Sequence, residues 1–203
     1  MSEPGPQQQK SARTRARLLD AASVVVRRDG VQAMTVARVA TEAGMSKGGL
    51  LHHFGSKDEL VSALLEATLA DADVGLAALT ESFRATRADE GSRSDAPDQG
   101  GDFARAYLEY VRRPDEHHAD SATAVFAAAA AGDGDLGPAA KIFEAWQQRL
   151  MHDDGLDPAL GLLARVVGDG LWLIDLFGLA RPAEADRAAV LDLVAKLIDA
   201  ELE

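Results

Sequence analysis

The stretch Thr35–Phe54, TVARVATEAGMSKGGLLHHF, constrains this chain more than any other, because it spaces two short helices around a single glycine. Thr35 is a favourable N-cap, since its hydroxyl can accept a hydrogen bond from an unpaired amide of the first turn. Val36, Val39, Ala40 and Ala43 then fall on one helical face. Gly44 follows that apolar stripe, where an abrupt stop calls for a positive φ that glycine reaches without steric cost. Ser46 is placed to cap a second helix, on which Leu50 and Phe54, one turn apart, face back toward the first. Ala40 is small where the second helix must cross close by. This is the spacing of a helix-turn-helix, the unit that reads DNA by laying its second helix in the major groove. Any two-helix corner can carry a small residue and a glycine, so the spacing alone leaves a purely structural corner open.

Charge is distributed in a way that a solvated surface does not explain. Met1–Lys57 holds nine Lys and Arg against four acids, whereas the remaining residues hold 12 against 29. The net charge of −12 therefore hides a basic end. A basic patch beside a helix-turn-helix is the electrostatic footprint of a phosphate binder, and the acidic remainder is expected to face away from DNA.

Residues 13–60 resemble the N-terminal domain of the TetR family of bacterial one-component regulators. The matching pattern is a first helix ending in glycine (RTRARLLDAASVVVRRDG), then Thr35, then VARVATEAGMSKGGLLHHF, then GSKDEL with Ser56, Lys57 and Leu60. Two positions depart from it. Leu51 stands where the family most often has a phosphate-touching tyrosine, and Val26 where a phenylalanine usually packs the first helix. The resemblance implies a DNA-binding domain over residues 1–56 and a helical effector-binding and dimerisation domain over 57–203.

In a helix-turn-helix the N-terminal part of the second helix lies near base edges. Ser46, Lys47, Gly48, Gly49 and His52 are therefore the groove-facing candidates. Lys47 can reach a phosphate or a guanine edge, and His52 can donate or accept at a base or a phosphate. Gly48 and Gly49 each cost about 1 kcal/mol against alanine in a helix. They either let backbone approach DNA closely or are defects tolerated because Leu50 and Phe54 hold the helix. Thr35, Lys57, Arg13 and Arg15 are phosphate candidates, with Lys57 favoured by the resemblance. His53 is a candidate for packing against the first helix.

The rest of the chain reads as helical, giving an all-α protein of about nine helices, since no sustained period-two runs of β-branched residues occur. Leu65, Leu69, Ala72, Leu76, Leu79 and Phe83 recur at helical steps after Lys57, with Ser56 as cap. Arg87–Gly101 is polar and aperiodic, and is expected to be a loop. Further helices are expected over 102–113, 119–131, 136–152, 158–179 and 184–202, with breaks at Pro114, Gly132–Pro138, Gly155 and Pro182. Met1–Gln9, polar and carrying two prolines, is expected to be disordered.

The last two helices are apolar on more than one side. Leu160, Leu163, Val167, Leu171 and Ile174 make one stripe, and Leu162, Val166, Leu173 and Phe177 another. The final helix adds Val190, Leu193 and Leu197 beside Leu191, Val194 and Ile198. Such helices are buried on more than one side, either in a monomer core or, as the resemblance implies, in an intermolecular four-helix bundle. Leu160, Leu163, Val167, Leu171, Val190, Leu193, Val194 and Leu197 are the candidate dimer interface. A two-fold homodimer also suits DNA read as two half-sites.

Phe103, Tyr107, Tyr110, Phe126, Phe143, Trp146 and Trp172, with Asp175, are the candidate lining of a small-molecule effector pocket. Each is individually at home in a core; as a group, and by the resemblance, they imply a pocket of the mostly apolar kind that ligands occupy.

Enzymatic readings find little support. The chain has no cysteine, which removes thiol chemistry and disulfides. His52–His53 and His117–His118 are adjacent pairs whose side chains diverge on a helix, unlike a zinc-chelating pair one turn apart. Ser121 near His117 and Asp120 lacks a nucleophile elbow, and GDGDLG at Gly132 lacks the lysine of a phosphate loop. No metal or cofactor is expected. Neither a signal-peptide core nor a membrane span is evident, so a bacterial cytoplasmic location is expected. The reading is a repressor released from palindromic operator DNA by a small molecule. A DNA-binding protein independent of ligand, or controlled by a protein partner, is the alternative.

Overall fold

The computed structural model describes residues 5–30, 33–89, 100–113, 132, 135–176 and 179–202. Among these there are eight α-helices and no strand: α1 Pro6–Asp29, α2 Val36–Glu42, α3 Lys47–His53, α4 Lys57–Asp89, α5 Asp102–Arg112, α6 Gly137–Gln148, α7 Pro158–Leu176 and α8 Glu184–Leu202. A π-helical turn, Arg149–Asp153, follows α6 directly. The expected helix over 119–131 lies outside the described residues.

By backbone contact the chain forms two compact units. The first comprises residues up to Thr68 together with the described part of Glu116–Ala139; the second comprises Leu69–Asp115 and Ala140–Glu203. The division falls inside α4, about three turns beyond its start.

In the first unit α1 packs on α2 and α2 on α3. Leu18, Val25, Met34, Val39, Leu50, Phe54, Leu60 and Leu65 are fully buried, and Val26 is buried with them. The N-terminal expectation is corrected here, because Pro6–Gln9 are helical. Proline at the first helical position loses no bond that a helix would have made. The Gln8 side chain accepts a hydrogen bond from the Gly5 amide at 3.2 Å and closes the end.

In the second unit α5 packs on α7 and α8, and α7 packs on α8 and on the π turn. Its buried side chains include Phe103, Tyr107, Leu108, Trp146, Leu150, Leu171, Leu191, Val194 and Ile198. Buried Asp154 caps α5, its carboxylate accepting from the amides of Phe103 at 2.9 Å and Ala104 at 2.8 Å. The stripe expected on α4 is present, with Leu65, Leu69 and Leu76 buried.

Three boundaries differ from expectation. Helix α4 continues through Asp89 instead of giving way to a loop at Arg87. The helix expected over 136–152 changes to π geometry at Arg149. A π turn holds one more residue than an α turn and re-aims those around it: Leu150 is fully buried while the Arg149 guanidinium lies 3.8 Å over the Phe103 ring. Helix α7 is described to Leu176, and Leu179, expected as its last residue, is not helical; its amide donates to the Ile174 carbonyl at 3.0 Å.

The two apolar stripes of α8 separate by exposure, whereas on α7 exposure cuts across the expected stripes, Leu163 being exposed and Leu171 of the same stripe buried. On α8, Leu191, Val194 and Ile198 point into the protomer's own core, while Leu193 is 57% exposed and Leu197 is also exposed. On α7, Leu171 is buried and Leu162, Leu163, Val166 and Leu173 are exposed, Val166 at 59%. Leu171 and Val194 are therefore corrected from interface candidates to core residues. The open apolar face also contains Leu162, Val166 and Leu173.

Candidate nucleic-acid interface

The helix-turn-helix is built by local hydrogen bonds that its sequence supplies. The Thr35 hydroxyl accepts from the Arg38 amide at 3.3 Å, and the Ser46 hydroxyl accepts from the Gly49 amide at 3.0 Å. Between them Gly44 has φ +63°, a conformation that a side chain would strain. The Met45 amide donates to the Ala40 carbonyl at 2.8 Å and closes the turn. Ser56 caps α4 by accepting from the Glu59 amide at 3.0 Å, and the Glu59 carboxylate accepts from the Gly55 amide at 2.8 Å. This reciprocal pair fixes where α4 leaves α3.

Leu50 and Phe54 are buried behind α3, which leaves Ser46, Lys47, Gly48 and His52 on its exposed face, with Leu51 beside them. His53 is half-buried, and its ring meets that of His52 edge-on at 5.5 Å. The two glycines separate. A Cβ on Gly49 would lie 3.2 Å from the Ser46 hydroxyl oxygen and 3.3 Å from the Met45 methyl, so the capped turn itself favours glycine there. A Cβ on Gly48 would meet nothing within 4 Å. Nothing inside this unit explains Gly48, a residue that weakens its own helix.

The basic residues also divide. Arg28 pairs with Glu42 at 3.0 Å and with Asp29 at 3.1 Å, and Arg38 pairs with Asp29 at 3.2 Å. The Arg28 hydrogen bond holds the Asp29 carboxyl below its usual range. Arg27 donates to the Ser23 hydroxyl at 2.7 Å. Arg17 donates to the Ala43 carbonyl. Arg15, a phosphate candidate by sequence, is half-buried; it donates to the His53 carbonyl at 3.0 Å and lies 4.1 Å over the Phe54 ring. By contrast, Lys10, Arg13 and Lys47 are exposed and in no ion pair among the described residues. Lys57 is half-buried at the start of α4.

In the second unit four of the candidate pocket residues, Tyr107, Phe143, Trp146 and Trp172, form a cluster in which the polar atoms of Tyr107 and Trp146 are already engaged. The rings of Phe143 and Trp146 meet edge-on at 5.3 Å, Tyr107 and Trp146 at 6.4 Å, and Phe143 and Trp172 are tilted at 6.5 Å. The Trp146 indole donates to Asp73 at 2.8 Å, and the Tyr107 hydroxyl donates to Asp169 at 2.5 Å. Burial, reinforced by Asp169, pushes the Tyr107 phenol far above its usual range, so it remains a donor. Arg165 pairs with Asp169 at 3.0 Å and donates to the Phe143 carbonyl at 2.5 Å. Asp73 and Asp169 were not legible as partners, although buried Tyr and Trp usually find an acceptor. Phe103 is covered by Arg149, and Asp175 is paired with Arg187 at 2.9 Å. Tyr110 is partly exposed beside Gly75, and Phe126 lies outside the described residues.

Residues 18–64 match the family model for bacterial regulatory proteins of the tetR family, and residues 101–199 match that for the tetracyclin repressor-like C-terminal domain. The chain belongs to the TetR family. Its relatives are transcription regulators: it is 42% identical over 62 residues to the HTH-type transcriptional repressor KstR2 of Rhodococcus jostii, a match covering 30% of each chain. It is 37% identical over 59 residues to the HTH-type transcriptional regulator TtgR of Pseudomonas putida, covering 29% of this chain and 28% of that one. The match thus spans less than a third of these curated relatives. A solved structure of the multidrug binding protein EbrR complexed with malachite green covers 90% of this chain and 96% of its own, with a TM-score of 0.58 at 25% identity. The first match spans α2 and α3 with most of α1 and the start of α4, and the second begins at Gly101, the N-cap of α5. Among the described residues no helix is long and apolar enough to cross a membrane.

Proposed function

We propose that this TetR-family chain is a transcriptional repressor that binds a roughly palindromic operator as a homodimer and is released by a small-molecule effector. The observation that carries the reading is the exposed face of α3, where Ser46, Lys47, Gly48 and His52 are exposed above buried Leu50 and Phe54. Lys47 and His52 reach base edges or phosphates, Gly48 admits close backbone approach, and Thr35, Arg13 and Lys57 hold phosphates. The functional boundary is the start of α4, so residues 1–56 bind DNA and 57–203 bind effector and the second protomer. The exposed apolar face of α7 and α8 meets its symmetry mate, through Leu160, Leu163, Val167, Val190, Leu193 and Leu197 together with Leu162, Val166 and Leu173.

The effector binds at the aromatic cluster of Tyr107, Phe143, Trp146 and Trp172. Its arrival shifts α4, changes the separation of the two recognition helices from one turn of DNA, and lowers operator affinity. Such coupling is reciprocal, so operator DNA weakens effector binding by the same factor. The protein acts in the bacterial cytoplasm.

One observation favours a second reading, in which DNA binding answers to no small molecule. The polar atoms of Tyr107 and Trp146 already have carboxylate partners, as core residues would. Titrating the protein with malachite green and ethidium, while following indole fluorescence and operator release, tests between them. Quenching with release supports the effector reading. Neither response to these nor to a wider panel of planar compounds supports the second.

A further inference from the structure

On the regulator reading above, we infer that Arg15 is a positioning residue: it sets the recognition helix from α1 and does not act as a phosphate contact. The recognition helix is poorly able to hold itself. It is seven residues long and begins Lys47-Gly48-Gly49, so its intrinsic helicity is low. Its N-terminus is secured by the Ser46 cap. At its other end the last carbonyls have no partner within the helix. The Arg15 guanidinium supplies one by donating to the His53 carbonyl at 3.0 Å.

The same guanidinium lies 4.1 Å over the ring of Phe54, the C-cap residue, which is fully buried. A planar guanidinium can stack and donate at once, which a lysine ammonium cannot reproduce. Arg17, two residues on, makes the corresponding bond to the Ala43 carbonyl at the C-cap of α2. Helix α1 thus grips the C-terminal end of each helix of the motif. Exposed Arg13, like Lys10 in no ion pair among the described residues, is left for phosphate.

The test begins by enriching a duplex from a random library with the wild-type protein. Affinities of wild type, Arg15→Ala and Arg15→Lys are then measured for that duplex and a scrambled one across a salt series, with a thermal melt of each variant. Positioning predicts that both variants lower affinity for the selected duplex about tenfold. Affinity for the scrambled duplex stays within twofold, and the salt slope is unchanged. Should Arg15→Ala fail to fold, the charge-preserving Arg15→Lys carries the comparison. A phosphate contact would instead lower the Arg15→Ala slope by about 2 in a dimer and leave Arg15→Lys near wild type, overturning the inference. A lower melting temperature with an unchanged ratio of selected to scrambled affinity would overturn it too. If the wild type enriches no duplex, the regulator reading fails and the inference falls with it.

Discussion

Gly48 and Gly49 are adjacent, equally poor helix formers, and only one has an internal reason to be glycine. Replacing Gly48 by alanine adds a methyl in open space, so the protein should gain up to about 1 kcal/mol in stability. If DNA backbone or base edges occupy that space, the same variant binds operator more weakly; a melt and a titration on one preparation read both effects. A second prediction concerns Asp29, whose carboxyl is held below its usual range by Arg28, with Arg38 also paired to it. A depressed carboxylate contributes stability above its unfolded pKa, about 4, and loses it as pH falls through the folded value. Asp29→Asn should therefore melt below wild type at pH 7, and the difference should close as pH is lowered beneath about 4. The caps at Thr35 and Ser46 were legible because a cap and its amide lie within one turn. Arg15 was not, because its partner carbonyl is 38 residues away and periodicity carries no trace of such a bond.

Helices were easier to read than their ends. The α2–α3 corner, the α4 stripe and the α5 start all followed from spacing. The start of α1 at Pro6 depended on a side-chain bond from Gln8, and the π turn after α6 on how Leu150 and Arg149 are shared between core and Phe103. Helices α7 and α8 each carry two apolar stripes, and periodicity marks them without saying which of their residues face the protomer's own core. That choice is made by tertiary packing, notably of α5 on α7. There Tyr107 lies so close to α7 that a Cβ on Gly168 would fall 2.5 Å from its ring. Gly168→Ala should overpack this contact and destabilise the protein by about 1–3 kcal/mol, measured by denaturant unfolding. It should also disturb the Tyr107–Asp169 bond beside the aromatic cluster.

The molecule as a whole has a basic N-terminal end and an acidic remainder that exposes large apolar side chains on α7 and α8. Leu162, Val166 and Leu173 of α7 and Leu193 and Leu197 of α8 are exposed large apolar side chains, and contiguous exposed apolar surface marks an association surface. Val166→Glu combined with Leu193→Glu should convert a dimer to a monomer by light scattering and weaken operator binding, because one half-site then binds without the other. A wild type that is monomeric at micromolar concentration would contradict this part of the account. Whether α3 reads DNA is tested by fluorescence anisotropy with the DNA upstream of the protein's own coding sequence. It compares wild type with Lys47→Ala across a salt series. A DNA-reading α3 should give tight, sequence-selective binding by the wild type and, for Lys47→Ala, a weaker affinity with a salt slope lower by about 2, one phosphate contact per protomer. Tight, selective binding that Lys47→Ala leaves unchanged in affinity and slope would contradict it.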